Sequence, residues 1–149
     1  MPVEIVRRAA GRKFSSARIK QVARAILQLV GQPEAELSLA LIGNAEMRKL
    51  NAKYRHKDYP TDVLSFPAAN NLPAGAQLLG DVVISLDKAA EQARERQRPL
   101  DQEVTTLLIH GVVHLLGYDH ERSAKDARIM TRVEKKIARQ LCERGLLKV

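Results

Sequence analysis

The segment from Asp101 to Gly117 constrains this chain more than any other. Val104, Leu107, Leu108, Ile109, Val112, Val113, Leu115 and Leu116 place apolar side chains on nearly every side of a helix. Such a helix is stable in water only when its neighbours enclose it, so the rest of the chain has to wrap around it. Pro99 precedes it, Asp101 is its expected N-cap, and Gly117 ends it.

The flanking segments supply the wrapping. Val3–Arg7, Glu36–Ile42, Val63–Phe66 and Leu78–Leu86 read as strands, the third stopped by Pro67. A helix capped by Ser15 or Ser16 carries the apolar stripe Ile19, Val22, Ala23, Ile26, Leu27, Val30 and closes at Gly31, with Arg18, Lys20 and Arg24 on its other face. Asn44 is the expected cap of a helix through Met47, Leu50 and Tyr54, and Asp87 that of an Ala- and Arg-rich helix to about Gln97. A last helix starts near Ser123, packs through Met130, Val133, Ile137 and Leu141, and ends at Gly145. Ala68 to Gln77, with its Asn, Pro and Gly, is a loop. No repeat or long linker divides the chain, so residues 1–149 read as one domain. The fold class is α+β: a small mixed sheet of about four strands, with helices around the buried central one. Strand order does not follow from the pattern.

Composition narrows the function. No run of eighteen apolar residues exists, which argues against a membrane span, and the N-terminus lacks a secretory pattern. The plain expectation is a soluble, cytoplasmic protein. The single cysteine, Cys142, forms no internal disulfide and no multi-cysteine zinc cage. Twenty-five Lys and Arg against 17 Asp and Glu give a net charge of +8, which favours polyanionic partners, nucleic acid first among them. Aromatic residues are only 3%, too few for an extended base-stacking platform.

Three of the four histidines fall within eleven residues. His110 and His114 stand at i and i+4 on the buried helix, so their rings project from one face about a turn apart. Gly117 accepts the left-handed conformation that folds the chain back and returns His120 to the same point. Burying two unpaired rings costs roughly 1–3 kcal/mol each, and one shared metal ion removes that cost. Three imidazoles leave a tetrahedral ion one open position, the pattern of catalytic rather than structural zinc. One zinc per chain is therefore expected. The spacing H-x3-H-x5-H resembles zinc peptidases of the metzincin type, but those carry Glu after the first His as general base, where this chain has Gly111.

The string His110-Gly-Val-Val-His114-Leu-Leu-Gly-Tyr-Asp-His120 resembles the signature of the YbeY family, bacterial single-strand-specific endoribonucleases of rRNA maturation and ribosome quality control. Tyr54-Arg55-His56-Lys57-Asp58, Thr61–Pro67 and Leu79–Ile84 agree in order and spacing, so the resemblance runs from about Leu37 to Met130. It implies zinc on His110, His114 and His120, an essential arginine at Arg55, and action on single-stranded rRNA, notably the 3′ end of small-subunit 16S rRNA. The implied partners are the small ribosomal subunit and its assembly factors. Arg55, at a helix C-terminus, is placed by charge alone as a solvated residue that complements the helix dipole; the resemblance gives it a catalytic role. Tyr59-Pro60-Thr61 redirects the chain, so the loop after Arg55 is expected to fold over the site. Asp119 and Glu121 flank His120 as candidate orienting groups. Two other functions stay open: a zinc peptidase or amidase, and an assembly factor with a mainly structural zinc.

Overall fold

A computed structural model of the chain describes residues 3–7, 15–68 and 78–147. Strand β1 (Val3–Arg7) leads to helix α1 (Ser16–Leu29), whose Ser15 side chain accepts the Arg18 N–H as the expected cap. Strand β2 (Glu36–Ile42), helix α2 (Asn44–Arg55) and strand β3 (Val63–Pro67) follow. Strand β4 (Leu78–Ser85) runs directly into helix α3 (Leu86–Glu95), and helices α4 (Leu100–Leu115) and α5 (Ala124–Glu143) complete the order. Most of the expected loop Ala68–Gln77 lies outside the described residues.

The four strands form one mixed sheet in the order β1-β2-β4-β3. The β1–β2 and β2–β4 pairs are parallel, and β3 joins β4 antiparallel with Ser65 opposite Val82. Alternation along β2 and β4 divides the core. Leu37, Leu39, Leu41, Val82 and Ile84 face the main core with α1, α4 and α5, while Ile42 and Val83 face a smaller cluster with Met47 and Leu64. Helix α4 is the enclosed element the sequence requires. Val104, Leu108, Val112 and Val113 are fully buried, and α4 packs on β3, β4, α3 and α5.

Three helix starts differ from expectation. Gly43, not Asn44, caps α2; the Asn44 N–H donates instead to the Asp87 carboxylate at 2.8 Å. Asp87 is thus not the cap of α3, a place taken by Ser85, whose hydroxyl accepts the Lys88 N–H. Pro99 precedes α4, and Asp101 sits inside its first turn, where negative charge complements the dipole. A one-residue displacement is enough to exchange a capping side chain for a first-turn one.

Candidate active site

The last turns of α4 carry His110 and His114, and Gly117 takes φ +104°, the left-handed turn that ends the helix. The returning segment sets the His120 ring 5.2 Å from the His110 ring, centroid to centroid. Strand β3 forms the facing wall. The C-terminal end of α2 adds Tyr54 and Arg55. Together they enclose a cavity of about 420 Å³ lined by Tyr54, Arg55, Val63 to Phe66, His110, His114, Asp119, His120 and Glu121.

Gly111 explains how α4 lies so close to that wall. A Cβ there would stand 2.7 Å from Val82 Cγ1 and 3.2 Å from Ser65 Oγ, inside contact distance. The Ser65 hydroxyl donates to the Gly111 carbonyl at 3.0 Å, so strand and helix are also bonded at this point. No longer side chain fits at 111 without parting helix and sheet.

The expectation of two buried rings without partners does not hold: His110 and His114 are half-buried, and each has a partner. His110 Nδ1 lies 3.1 Å from Glu134 Oε2, and His114 Nδ1 lies 3.0 Å from the Tyr118 carbonyl. Both acceptors require an N–H at Nδ1, which fixes one tautomer and leaves Nε2 with its lone pair. Carboxylate and carbonyl partners of this kind are what orient metal-binding histidines, so the donor set fits zinc. The Glu134 hydrogen bond holds the His110 ring above the ordinary imidazole pKa, while burial pulls the other way. The His120 side chain is 47% exposed, its Nε2 3.8 Å from Glu121 Oε1. Among the described residues no three His, Cys, Asp or Glu side chains converge on one point.

Arg55 ends α2, and its Nη2 reaches Glu121 Oε1 at 3.3 Å across the cavity mouth. Glu121 therefore steers Arg55 more closely than it steers His120. Asp119 accepts the Glu121 N–H at 2.8 Å, and that bond foremost keeps its carboxyl below the usual range. The loop after Arg55 does not fold over the site. It is drawn back along α2, where buried Asn51 donates to the Tyr59 carbonyl and Arg48 holds Asp58 through two bonds. His56 is exposed in the left-handed C-cap of α2, Met130 is buried in the main core, and Cys142 is a half-buried residue of α5.

A family model described as Endoribonuclease YbeY matches residues 4–142. The chain belongs to that family. The match extends beyond the Leu37–Met130 stretch that carries the sequence resemblance. Among YbeY relatives, the Endoribonuclease YbeY of Anaeromyxobacter sp. (strain Fw109-5) is 49% identical over 85% of this chain and 65% of its own length. That of Aquifex aeolicus is 43% identical over 87% and 86%, and that of Geobacter metallireducens 40% over 99% and 100%. The chain spans just under two thirds of the two Anaeromyxobacter relatives. The solution structure of TM1509 from Thermotoga maritima superposes with a TM-score of 0.60 at 27% identity, covering 91% of this chain and 85% of that one. The contacts of Glu134 and Ser65 and the Tyr54–Phe66 pair emerge only from the fold.

Proposed function

We propose that this YbeY-family chain is a zinc-dependent endoribonuclease that cleaves single-stranded RNA in rRNA maturation, at the 3′ end of small-subunit 16S rRNA, in association with the small ribosomal subunit. The observation that carries this reading is the meeting of His110, His114, His120 and Arg55 around one cavity whose position 111 has no room for a peptidase base.

His110 and His114 would hold zinc through Nε2, with His120 as the third ligand in the metzincin-like spacing. When bound, zinc would supply a Lewis acid that activates water and polarises a phosphoryl oxygen. The chain's own groups do the rest. Glu134 and the Tyr118 carbonyl hold the proton of two imidazoles at Nδ1 and fix the rings in orientation. Arg55 offers a planar pair of donors to phosphate oxygens and stabilises negative charge that grows at phosphorus. Its pairing with Glu121 is solvent-exposed and therefore weak enough for a phosphate to displace. Ser65, committed to the Gly111 carbonyl, is not the nucleophile.

Tyr54 and Phe66 meet edge to face at 5.0 Å between centroids on the cavity wall, and Tyr54 is 53% exposed. The scarce aromatics are thus concentrated where an unstacked base arrives. A single strand presents such a base; a paired duplex does not.

The test is cleavage of a single-stranded RNA oligonucleotide by the zinc-loaded protein, with casein as a parallel substrate. Cleavage should stop with a chelator and return with zinc. Arg55→Ala should lower single-turnover rate roughly a hundredfold or more at unchanged zinc content. Casein hydrolysis would favour the peptidase reading. RNA binding without cleavage would favour an assembly factor with structural zinc.

A further inference from the structure

Helix α5 presents a surface that the cavity does not use. Lys125, Arg128, Arg132, Lys135, Lys136 and Arg139 are all exposed and recur every three or four residues. At 100° per residue they occupy an arc of about 100° and a length of about 21 Å. The opposite side holds Met130, Ile137 and Leu141, buried in the main core. Of the three acids in the helix, Asp126 pairs with Arg122 and Glu134 with His110, which leaves Glu143, one turn beyond Arg139, at the far end of the stripe. Among the described residues none of the six cations has an ion pair or hydrogen bond.

A solvated helix face normally mixes signs, because like charges one turn apart repel. Here Arg128 and Arg132, Arg132 and Lys136, and Lys135 and Arg139 are all i,i+4 neighbours of one sign. A polyanion lying along the helix removes that repulsion. The N-terminal end of the stripe, Lys125, follows His120 by five positions in the chain. With the apolar face of α5 already buried in the core, no anchor remains for insertion into a lipid surface.

We infer that the α5 stripe is a docking track for the RNA phosphate backbone, separate from the cavity, which holds the substrate strand flanking the cleaved bond. RNA as the polyanion rests on the proposed function of the cavity. The track takes phosphates without regard to base sequence, since lysine and arginine contacts to phosphate carry no sequence information.

The experiment measures affinity of the zinc-loaded protein for a 30-nucleotide single-stranded RNA across a salt series, and cleavage of the same RNA separately. The triple variant Arg128→Gln, Arg132→Gln, Lys135→Gln should bind on the order of tenfold more weakly, with the slope of log K against log salt reduced by about 2. Loss of three cations elsewhere, Lys20→Gln, Lys88→Gln and Arg94→Gln, should leave the slope near wild type. Circular dichroism confirms the fold of both. An equal slope in the wild type and the stripe variant, or an equal change in the control, overturns the track while leaving the endoribonuclease reading standing. A stripe-dependent slope without cleavage keeps the track and overturns that reading. Stripe-dependent binding to phosphatidylserine vesicles or polyglutamate, with none to RNA, overturns the choice of partner.

Discussion

Glu134 lies 24 residues beyond His110 on a different helix, yet its carboxylate sits 3.1 Å from the ring that would carry zinc. An acceptor at Nδ1 raises the basicity of Nε2 and stops the ring from turning. Removing it typically weakens metal binding ten- to hundredfold. Glu134→Ala should therefore raise the zinc dissociation constant by about that factor, and Glu134→Gln by less, since its amide oxygen still accepts the N–H. Competition titration against a chromophoric chelator reads this directly, without reference to catalysis. Equal affinity in Glu134→Ala and wild type would remove the orienting role. That His110, His114 and His120 share one cavity is legible in the sequence because their spacing is local: a helix turn, then a glycine. Glu134 is not, because nothing short of the α4–α5 packing brings it near.

At the scale of elements, the turn from α3 to α4 is held by a fully buried carboxylate. Glu103 is inaccessible to solvent, with Arg96 Nη1 at 2.6 Å and Arg98 Nε at 3.5 Å. A buried carboxylate that loses its partner keeps its desolvation cost without the compensating attraction. Arg96→Ala should lower unfolding stability by about 1–3 kcal/mol, less than for a fully enclosed pair because Arg96 is half exposed and Arg98 remains. Urea denaturation checks it; an unchanged midpoint would show that Arg98 or water suffices. Helices and strands were legible because burial follows periodicity, as in α4 and in the alternation of Leu37, Leu39 and Leu41. The caps were less so: Asp87 serves α2 rather than α3, a contact between elements 43 positions apart. The loop after Arg55 also escaped the sequence, since its path is set by Asn51 and Arg48 reaching back from α2.

For the whole molecule, zinc would join α4 to the turn beyond it, and Glu134 would extend that link to α5. A ligand that binds only the folded chain stabilises it by RT ln(1 + [L]/Kd), about 4 kcal/mol at a thousandfold excess over Kd. Thermal unfolding should therefore shift to lower temperature on chelation and recover with zinc, and the shift should vanish in His114→Ala. A midpoint indifferent to zinc in the wild type would separate the histidines from metal binding. Strand order was the part of the architecture least open to sequence reading, because parallel pairing between β2 and β4 leaves no local signature.

That order, β1-β2-β4-β3, also governs how the molecule is made. Among the described residues strand β3 pairs with β4 alone, and it emerges during synthesis before that partner. Until β4 has emerged, β1 and β2 can pair through the α1 crossover, but the cavity wall from Val63 to Phe66 has nothing to lie against. The histidines follow within the next forty residues, on a helix that packs on β3 and β4. A chain that ends short of Leu78 therefore has neither the strand that pairs with the cavity wall nor the three histidines.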